Sequence, residues 1–276
     1  MDLGLKDAAV CVSGGSKGIG RATALAFAGE GARVVITSRN GKDLTRVVDE
    51  LLTAGAPDAF GLQADVGNAP DIASLFTQIE NRWGELNTLV NMASSTDPAR
   101  LGAFLDLDDE DWDYHYTIGL LSVVRCSRAA IPLMRRAGWG RIINVSSISS
   151  RLGMPFDMPY TATKAGLNAL TKSLGRTFAT ENILINTITP GAFYTASLRH
   201  QLIETGGVKA GLNPDSLLDA AQWVADRFDG RPVGAIGRVA MPEEIGPQIL
   251  LLGSRANSYM AGANVVIDGG TDFSTG

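Results

Sequence analysis

Absences narrow the possibilities first. Two cysteines and two histidines in 276 residues leave little for a disulfide framework or a His/Cys metal cluster. Cys11 sits in an apolar run and Cys126 in a helix-like segment, where a lone thiol is usually a small buried hydrophobe. His115 and His200 lie far apart without ligand-like neighbours, which suits structural or surface roles and no bound metal. Basic residues do not predominate: 24 Lys and Arg stand against 29 Asp and Glu, a formal net charge of −5, with no Lys/Arg run. That balance argues against nucleic acid as a partner. No apolar stretch approaches a membrane span, and the opening Met1–Asp7 segment lacks a signal-peptide pattern. The expectation is a metal-free cytoplasmic protein with no membrane contact. Aromatics are sparse at 7%, and there is no internal repeat, low-complexity tract or linker.

What the chain does have is glycine, 32 in all, and a steady alternation of short β-rich apolar runs with longer helical patterns. Strands are expected at Ala8–Val12, Arg33–Thr37, Ala59–Ala64, Thr88–Met92, Arg141–Val145, Ile183–Ile188 and Asn264–Ile267. Helices are expected at Ile19–Gly29, Lys42–Ala54, Ala69–Trp83, Glu110–Arg136, Tyr160–Thr180 and Pro242–Leu252. Strands apolar on both faces, alternating with helices, predict an α/β protein: a doubly wound, seven-stranded parallel sheet with helices on both faces. The length suits one large dinucleotide-binding domain over 1–276. Only 196–237 breaks the rhythm, reading as helices near Ser197–Glu204 and Pro214–Phe228 around Gly206-Gly207. An insert that long in a compact domain is usually a lid or binding loop.

The first strand runs straight into Ser13-Gly14-Gly15-Ser16-Lys17-Gly18-Ile19-Gly20 and an Ala-rich helix. Gly14 permits a tight turn, Gly18 a close approach to pyrophosphate, and Gly20 close helix packing; the helix start offers free N–H groups and positive dipole. The loop, with Ser16, Lys17 and Ile19, is a candidate nucleotide cradle. Binders of NAD usually carry Asp or Glu after the second strand. Here that position reads Thr37-Ser38-Arg39, with no acid. Arg39 can clamp a 2′-phosphate through its planar fork, with Lys17 facing the same group, which favours NADP(H) over NAD(H). Asp65 and Val66, after the third strand, are placed to contact the adenine, although Asp65 could equally be a cap or turn residue.

Tyr160 and Lys164 are spaced i, i+4, which puts both side chains on one helix face. A lysine ammonium beside a phenol makes it a ready acid/base for a carbonyl or alcohol. On any other helix the pair would read as a solvated face; its place downstream of a nucleotide cradle gives it weight.

In order and spacing, the glycine turn, Asn91-Met92-Ala93-Ser94, Ser147, Tyr160/Lys164, Pro190-Gly191 and the Gly262–Gly270 segment resemble the short-chain dehydrogenase/reductase family. The resemblance spans nearly the whole chain and falls in the single-domain subgroup of roughly 250 residues, with 3-oxoacyl-carrier-protein-reductase-like members. It implies an oxidoreductase acting on CH–OH groups. Tyr160 would be the general acid in reduction and the base in oxidation. Its phenol, with pKa ~10 when free, would need to fall by about three units, or ~4 kcal/mol. A lysine ammonium at ~4 Å supplies roughly that at an effective dielectric of ~20. Lys164 would also reach the nicotinamide ribose. Ser147, thirteen residues before Tyr160, would polarise the reacting oxygen, with Ser146 and Ser149 as decoys. Asn91 and Ala93 would line the cofactor. Pro190, Gly191, Thr195 and the backbone near Phe193 would hold the carboxamide, exposing the B (pro-S) face for hydride. A homotetramer, or a dimer, is implied, with 110–136, 160–180 and the last strand in the interfaces.

Two departures from the family pattern stand out. Met92 replaces an asparagine whose amide normally ties neighbouring strands together, and Gly119 replaces the asparagine that helps hold a proton-relay water in a kinked helix. Activity is nonetheless expected, with Gly119→Asn raising turnover or leaving it little changed. Met154, Phe156, Met158, Phe193, Tyr194 and Trp223 suggest a small, mainly hydrophobic carbonyl/alcohol substrate, though about half are expected to pack the lid instead. The rival reading is a catalytically relaxed, NADP-binding regulatory protein on the same scaffold; a hydro-lyase or epimerase is a third. Retention of Ser147, Tyr160 and Lys164 together argues for the enzyme.

Overall fold

Alternate residues along the strands enter opposite apolar layers, so the sheet must be covered on both sides. The architecture is taken from a computed structural model, which describes residues 1–93, 100–204, 206–227 and 233–272. Its strands are β1 (Ala9–Ser13), β2 (Arg33–Ser38), β3 (Ala59–Gln63), β4 (Thr88–Asn91), β5 (Gly140–Val145), β6 (Ile183–Pro190) and β7 (Asn264–Ile267). They form one parallel sheet in the order β3-β2-β1-β4-β5-β6-β7. After β3 the chain returns to the far side of β1. This reversal opens a crevice beyond the carboxyl ends of β1 and β4, where such sheets bind ligands.

The helices are α1 (Gly18–Gly29), α2 (Leu44–Ala54), α3 (Ala69–Trp83), α4 (Asp109–Tyr116) and α5 (Ser122–Ala137). They continue with α6 (Ser149–Leu152), α7 (Met158–Phe178), α8 (Ala196–Glu204), α9 (Leu217–Arg227) and α10 (Gly246–Leu252). On one face Val10, Val12, Val34 and Ile36 meet Phe27, Val47, Leu51 and Ile249 from α1, α2 and α10. On the other, Ala9, Cys11, Val35 and Leu89 meet Leu75, Ile79, Cys126 and Met134 from α3 and α5. Both cysteines are free and buried. Burial raises both thiols, Cys126 to about 12, which leaves them inert.

Local signals explain where the helices begin and end. A capping box between Asp108 and Asp111 starts α4. Left-handed glycines, Gly84 and Gly138, close α3 and α5. The helix expected over Glu110–Arg136 runs without interruption from Asp109 to Ala137, with one irregular turn. The turn Thr117–Leu121 between α4 and α5 widens, with the Ser122 N–H bonding the Thr117 carbonyl five residues back. By length and composition alone, Asp109–Ala137 could cross a membrane, with a window hydropathy of 1.3; 56% of that window is buried inside the protein, as in a core helix.

The 196–237 insert contributes α8 and α9. They share a small apolar cluster of their own around Leu202, Trp223 and Val224, with Tyr194 against it. The second helix begins three residues later than expected, where the Ser216 hydroxyl caps it by accepting from the Asp219 N–H at 3.2 Å; the Pro214 carbonyl before it accepts from the Tyr194 hydroxyl at 2.5 Å. Its expected end at Phe228, and Ser94 of the Asn91–Ser94 motif, lie outside the described residues.

Phe27 of α1 has 0% exposure and sits at the centre of its layer. Phe27→Ala should cost about 3–5 kcal/mol in urea unfolding. Leu52→Ala, at a position 45% exposed, should cost about 1 kcal/mol or less.

Candidate active site

The glycine turn is shaped by close contact. A Cβ on Gly20 would lie 2.1 Å from the Gly14 carbonyl oxygen, so no side chain fits there. Gly14 itself has φ +73, the left-handed region. Lys17, the N-cap of α1, makes no side-chain bond to the first turn, which leaves those N–H groups and the helix dipole to an anion. A cavity of about 550 Å³ opens over this turn. Gly14, Ser16, Lys17, Gly18, Ile19, Gly20, Ser38 and Arg39 all line it. So do Asp65, Val66, Ala93, Tyr160, Lys164, Pro190 and Thr195. Thr195, just before the insert, stands over the loop: a Cβ on Gly18 would be 3.2 Å from its methyl.

Several of these side chains have local duties as well. The Asp65 carboxylate accepts from the Gly67 N–H at 2.8 Å, which makes it a turn former that also faces the cavity. Arg39 donates a long 3.4 Å bond to the Tyr114 hydroxyl. Lys17 pairs with Asp43 at 3.0 Å. Thr195 caps α8, its hydroxyl accepting from the Leu198 N–H at 3.2 Å.

At the far end of the cavity, Tyr160 and Lys164 face each other on α7. The Lys164 Nζ is 5.5 Å from the Tyr160 ring centroid and donates to the Val145 carbonyl at 2.7 Å. The lysine is 2% exposed, and burial pushes its amine down to about 8, leaving it mainly charged at neutral pH. His115, also buried, stands edge-on to the Tyr160 ring at 6.4 Å, with its Nε2 3.3 Å from the Arg100 carbonyl. Ser147 Oγ accepts from the N–H and hydroxyl of Ser149, at 3.2 and 2.9 Å. One turn before Tyr160, Asp157 starts α7 without capping it, and burial raises its carboxyl to about 6.

Four predicted residues do not line the cavity: Asn91, Ser147, Gly191 and Phe193. Asn91 is turned into the sheet, its amide donating to Asn144 at 2.8 Å, while Met92 and Ala93 face the cavity instead. Here Asn91 itself ties β4 to β5, and the Ser13 hydroxyl holds the Met92 and Ala93 N–H groups. Gly191 is small because a Cβ would lie 2.7 Å from the Asp268 Cα. The Phe193 side chain is in the core. Its neighbours Ala192 and Tyr194 both bond Ala240, so the backbone groups of Phe193 point the other way. Ser146 lines the cavity but its hydroxyl is engaged by Ser150 and the Lys164 carbonyl. Sequence reasoning also passed over Thr37, Asn40, Ile118, Val145 and Ser197. Val145 was recoverable as the end of the fifth strand. Ile118 was not, because only the widened turn brings it to the cavity.

That turn also explains Gly119. A Cβ there would lie 2.4 Å from the Thr163 Cγ2. Thr163 is held in place, its hydroxyl donating to the Pro159 carbonyl at 2.7 Å. Thr163 thus occupies the space into which a side chain at 119 would have to start.

A glycine turn at a sheet reversal, with a buried lysine over a tyrosine, defines a dinucleotide-dependent oxidoreductase of the Rossmann type. Residues 8–205 match the family pattern for short chain dehydrogenase, and the chain belongs to the short-chain dehydrogenase/reductase family, oxidoreductases acting on CH–OH groups. It is 30% identical to the uncharacterized oxidoreductase YvrD of Bacillus subtilis over 98% of both chains. It is 36% identical to a 3-oxoacyl-[acyl-carrier-protein] reductase of Staphylococcus aureus, over 65% of this chain and 72% of that one. Among solved structures, L-sorbose reductase from Gluconobacter frateurii, complexed with NADPH and L-sorbose, superposes with TM-score 0.90 at 27% identity, covering 99% and 100% of the two chains.

The Gly119 geometry adds a stability cost to the expected effect of Gly119→Asn on turnover. Alone it should destabilise the protein by about 1–3 kcal/mol in thermal or urea unfolding, through overpacking against Thr163. Combined with Thr163→Ser, which keeps the hydroxyl and removes the methyl, most of that loss should return. Equal losses in single and double variants would refute the contact.

Proposed function

We propose that the protein interconverts a carbonyl and a secondary alcohol with NADP(H), using Tyr160 as general acid/base. The observation that carries this reading is the buried Lys164 amine facing the Tyr160 ring at the end of the glycine-turn cavity. The residues fit a dinucleotide: a turn that admits no Cβ at Gly20, uncapped N–H groups at α1, and the cations Lys17 and Arg39 at one side. Gly14 to Gly20 would hold the pyrophosphate, Val66 the adenine, and Pro190, Thr195 and the Phe193 backbone the nicotinamide amide. Bound there, the cofactor supplies or accepts the hydride. NADP(H) is also supported by structural neighbours solved with NADPH or NADP.

The chain's own residues manage the proton. In reduction, the Tyr160 hydroxyl gives its proton to the carbonyl oxygen, and the Lys164 ammonium stabilises the resulting phenolate. The Ser147 hydroxyl donates a hydrogen bond to the same oxygen. Val145 and its strand hold Lys164 in place. In oxidation the same groups run in reverse.

The substrate is proposed to be small and mainly hydrophobic, reached under the 196–237 insert acting as a lid. Phe193, Tyr194 and Trp223 are committed to packing, and Met154 is 7% exposed. Phe156, at 38% exposure, and Met158 remain to meet it, beside the half-buried Asp157 carboxyl.

Absorbance of the reduced nicotinamide, followed over a panel of β-keto thioesters, apolar ketones and a hydroxyketone sugar, tests the activity. Tyr160→Phe should lower the rate on any active ketone about 10²-fold or more while NADPH still binds. An unchanged rate would refute the proton-transfer role, and tight NADPH binding with no consumption across the panel would favour the regulatory alternative. Arg39→Asp should weaken NADPH about tenfold and spare NADH; equal use of both cofactors by the natural protein would refute the 2′-phosphate reading.

A further inference from the structure

The two cations that line the cavity near its Ser38 side are unequal. Among the described residues, Arg39 meets no carboxylate. Lys17 meets one: Asp43 Oδ2, 3.0 Å from its ammonium. Asp43 closes a short turn (Gly41–Asp43) that is held to the end of β2. Asn40 caps the turn, its side chain accepting from the Lys42 N–H at 3.0 Å, and Gln63 donates to the Arg39 carbonyl at 3.0 Å. Asp43 is also the N-cap of α2, yet its side chain makes no capping bond. An aspartate there would ordinarily accept from the first turn. This one turns to Lys17 and, at 3.5 Å, to Arg46. Both partners hold its carboxyl below the usual range, the Lys17 hydrogen bond foremost, so it is an anion at neutral pH. Asp43 is not a lining residue; it reaches the cavity through Lys17.

From this geometry we propose that Asp43 is a built-in competitor for the cofactor's 2′-phosphate and sets how strongly the site prefers NADP(H). Its carboxylate oxygen marks an anion position beside Lys17. A 2′-phosphate carries a charge of about −1.5 to −2 near pH 7. To reach Lys17 it must displace that oxygen and sit close to a carboxylate left with only the more distant Arg46. An NAD(H) molecule, with only a hydroxyl at that position, has no such contest. Asp43 therefore weakens the phosphorylated cofactor selectively and narrows the preference that Arg39 and Lys17 create. The ion pair is exposed, 67% on the lysine side, and exposed pairs are weak, so the effect is a tuning of selectivity and not a switch.

The inference rests on the NADP(H) reading, and cofactor binding alone tests it without any carbonyl substrate. NADPH and NADH are titrated by fluorescence into the natural protein, Asp43→Asn and Asp43→Ser, with thermal melts to verify folding. Both variants should bind NADPH about two- to five-fold more tightly, with NADH changed less than about twofold. The gain should shrink at high salt. NADPH affinity unchanged in both variants, while the natural protein still prefers NADPH, overturns the competitor role and leaves the NADP(H) reading intact. Selective weakening of NADH also overturns it, by making Asp43 a ribose-hydroxyl ligand. A natural protein that does not distinguish the two cofactors overturns both.

Discussion

A lysine amine enclosed by protein has to be satisfied on every side, and Lys164 is the constraint around which the site is assembled. Its charge is disfavoured by burial, which lowers the amine to about 8. What keeps it useful is a fixed partner, the Val145 carbonyl at the end of β5. The spacing between β5 and α7 is set by a buried polar chain. Asn91 donates to Asn144, Asn144 to Thr171, and Thr171 to the Leu167 carbonyl, linking β4, β5 and α7. Such a chain tolerates little slippage, because each group would otherwise be buried without a partner. Tyr160, one helical turn from Lys164, inherits its position from the same network.

The remaining parts converge on that point from distant stretches of the chain. The glycine turn lies at the reversal in strand order, and Thr195 packs over it from the end of the segment after β6. The widened turn before α5 brings Ile118 to the cavity and sets Gly119 against Thr163. Past β7, the Asp268 backbone closes on Gly191, and Asp272 pairs with Arg151 of α6, the single turn that follows Ser147. One helical turn has little stability of its own. Anchoring it to the C-terminal segment gives Ser147 a firmer base than its own residues provide.

Much of this was legible beforehand. The strand runs could be read because short β-rich stretches, apolar on both faces and alternating with helical patterns, have few other physical solutions. Ala69–Trp83 was legible to the residue, with proline near its start and a left-handed glycine after it. The pairing of Tyr160 with Lys164 followed from helical spacing. Less legible were residues whose role depends on what comes to meet them. Asn91 could have faced the cavity or the sheet, and Asn144, 53 residues on, decided it. Phe193 and Trp223 carry apolar surface that would suit a substrate wall equally well; the main core claimed the first and the packing of the insert the second.

The amino-acid sequence by itself determined the alternation of strands and helices, the glycine turn at the first crossover and the shared helix face of Tyr160 and Lys164. These depend on contacts within a few residues, where periodicity and backbone sterics act directly. Tertiary structure alone decided that Asp43 would stand beside Lys17, that Thr163 would fill the space next to Gly119, and that Asp272 would hold Arg151. Those contacts join segments between 26 and 121 residues apart. No local propensity reports them, because each exists only once the whole sheet has closed around its core.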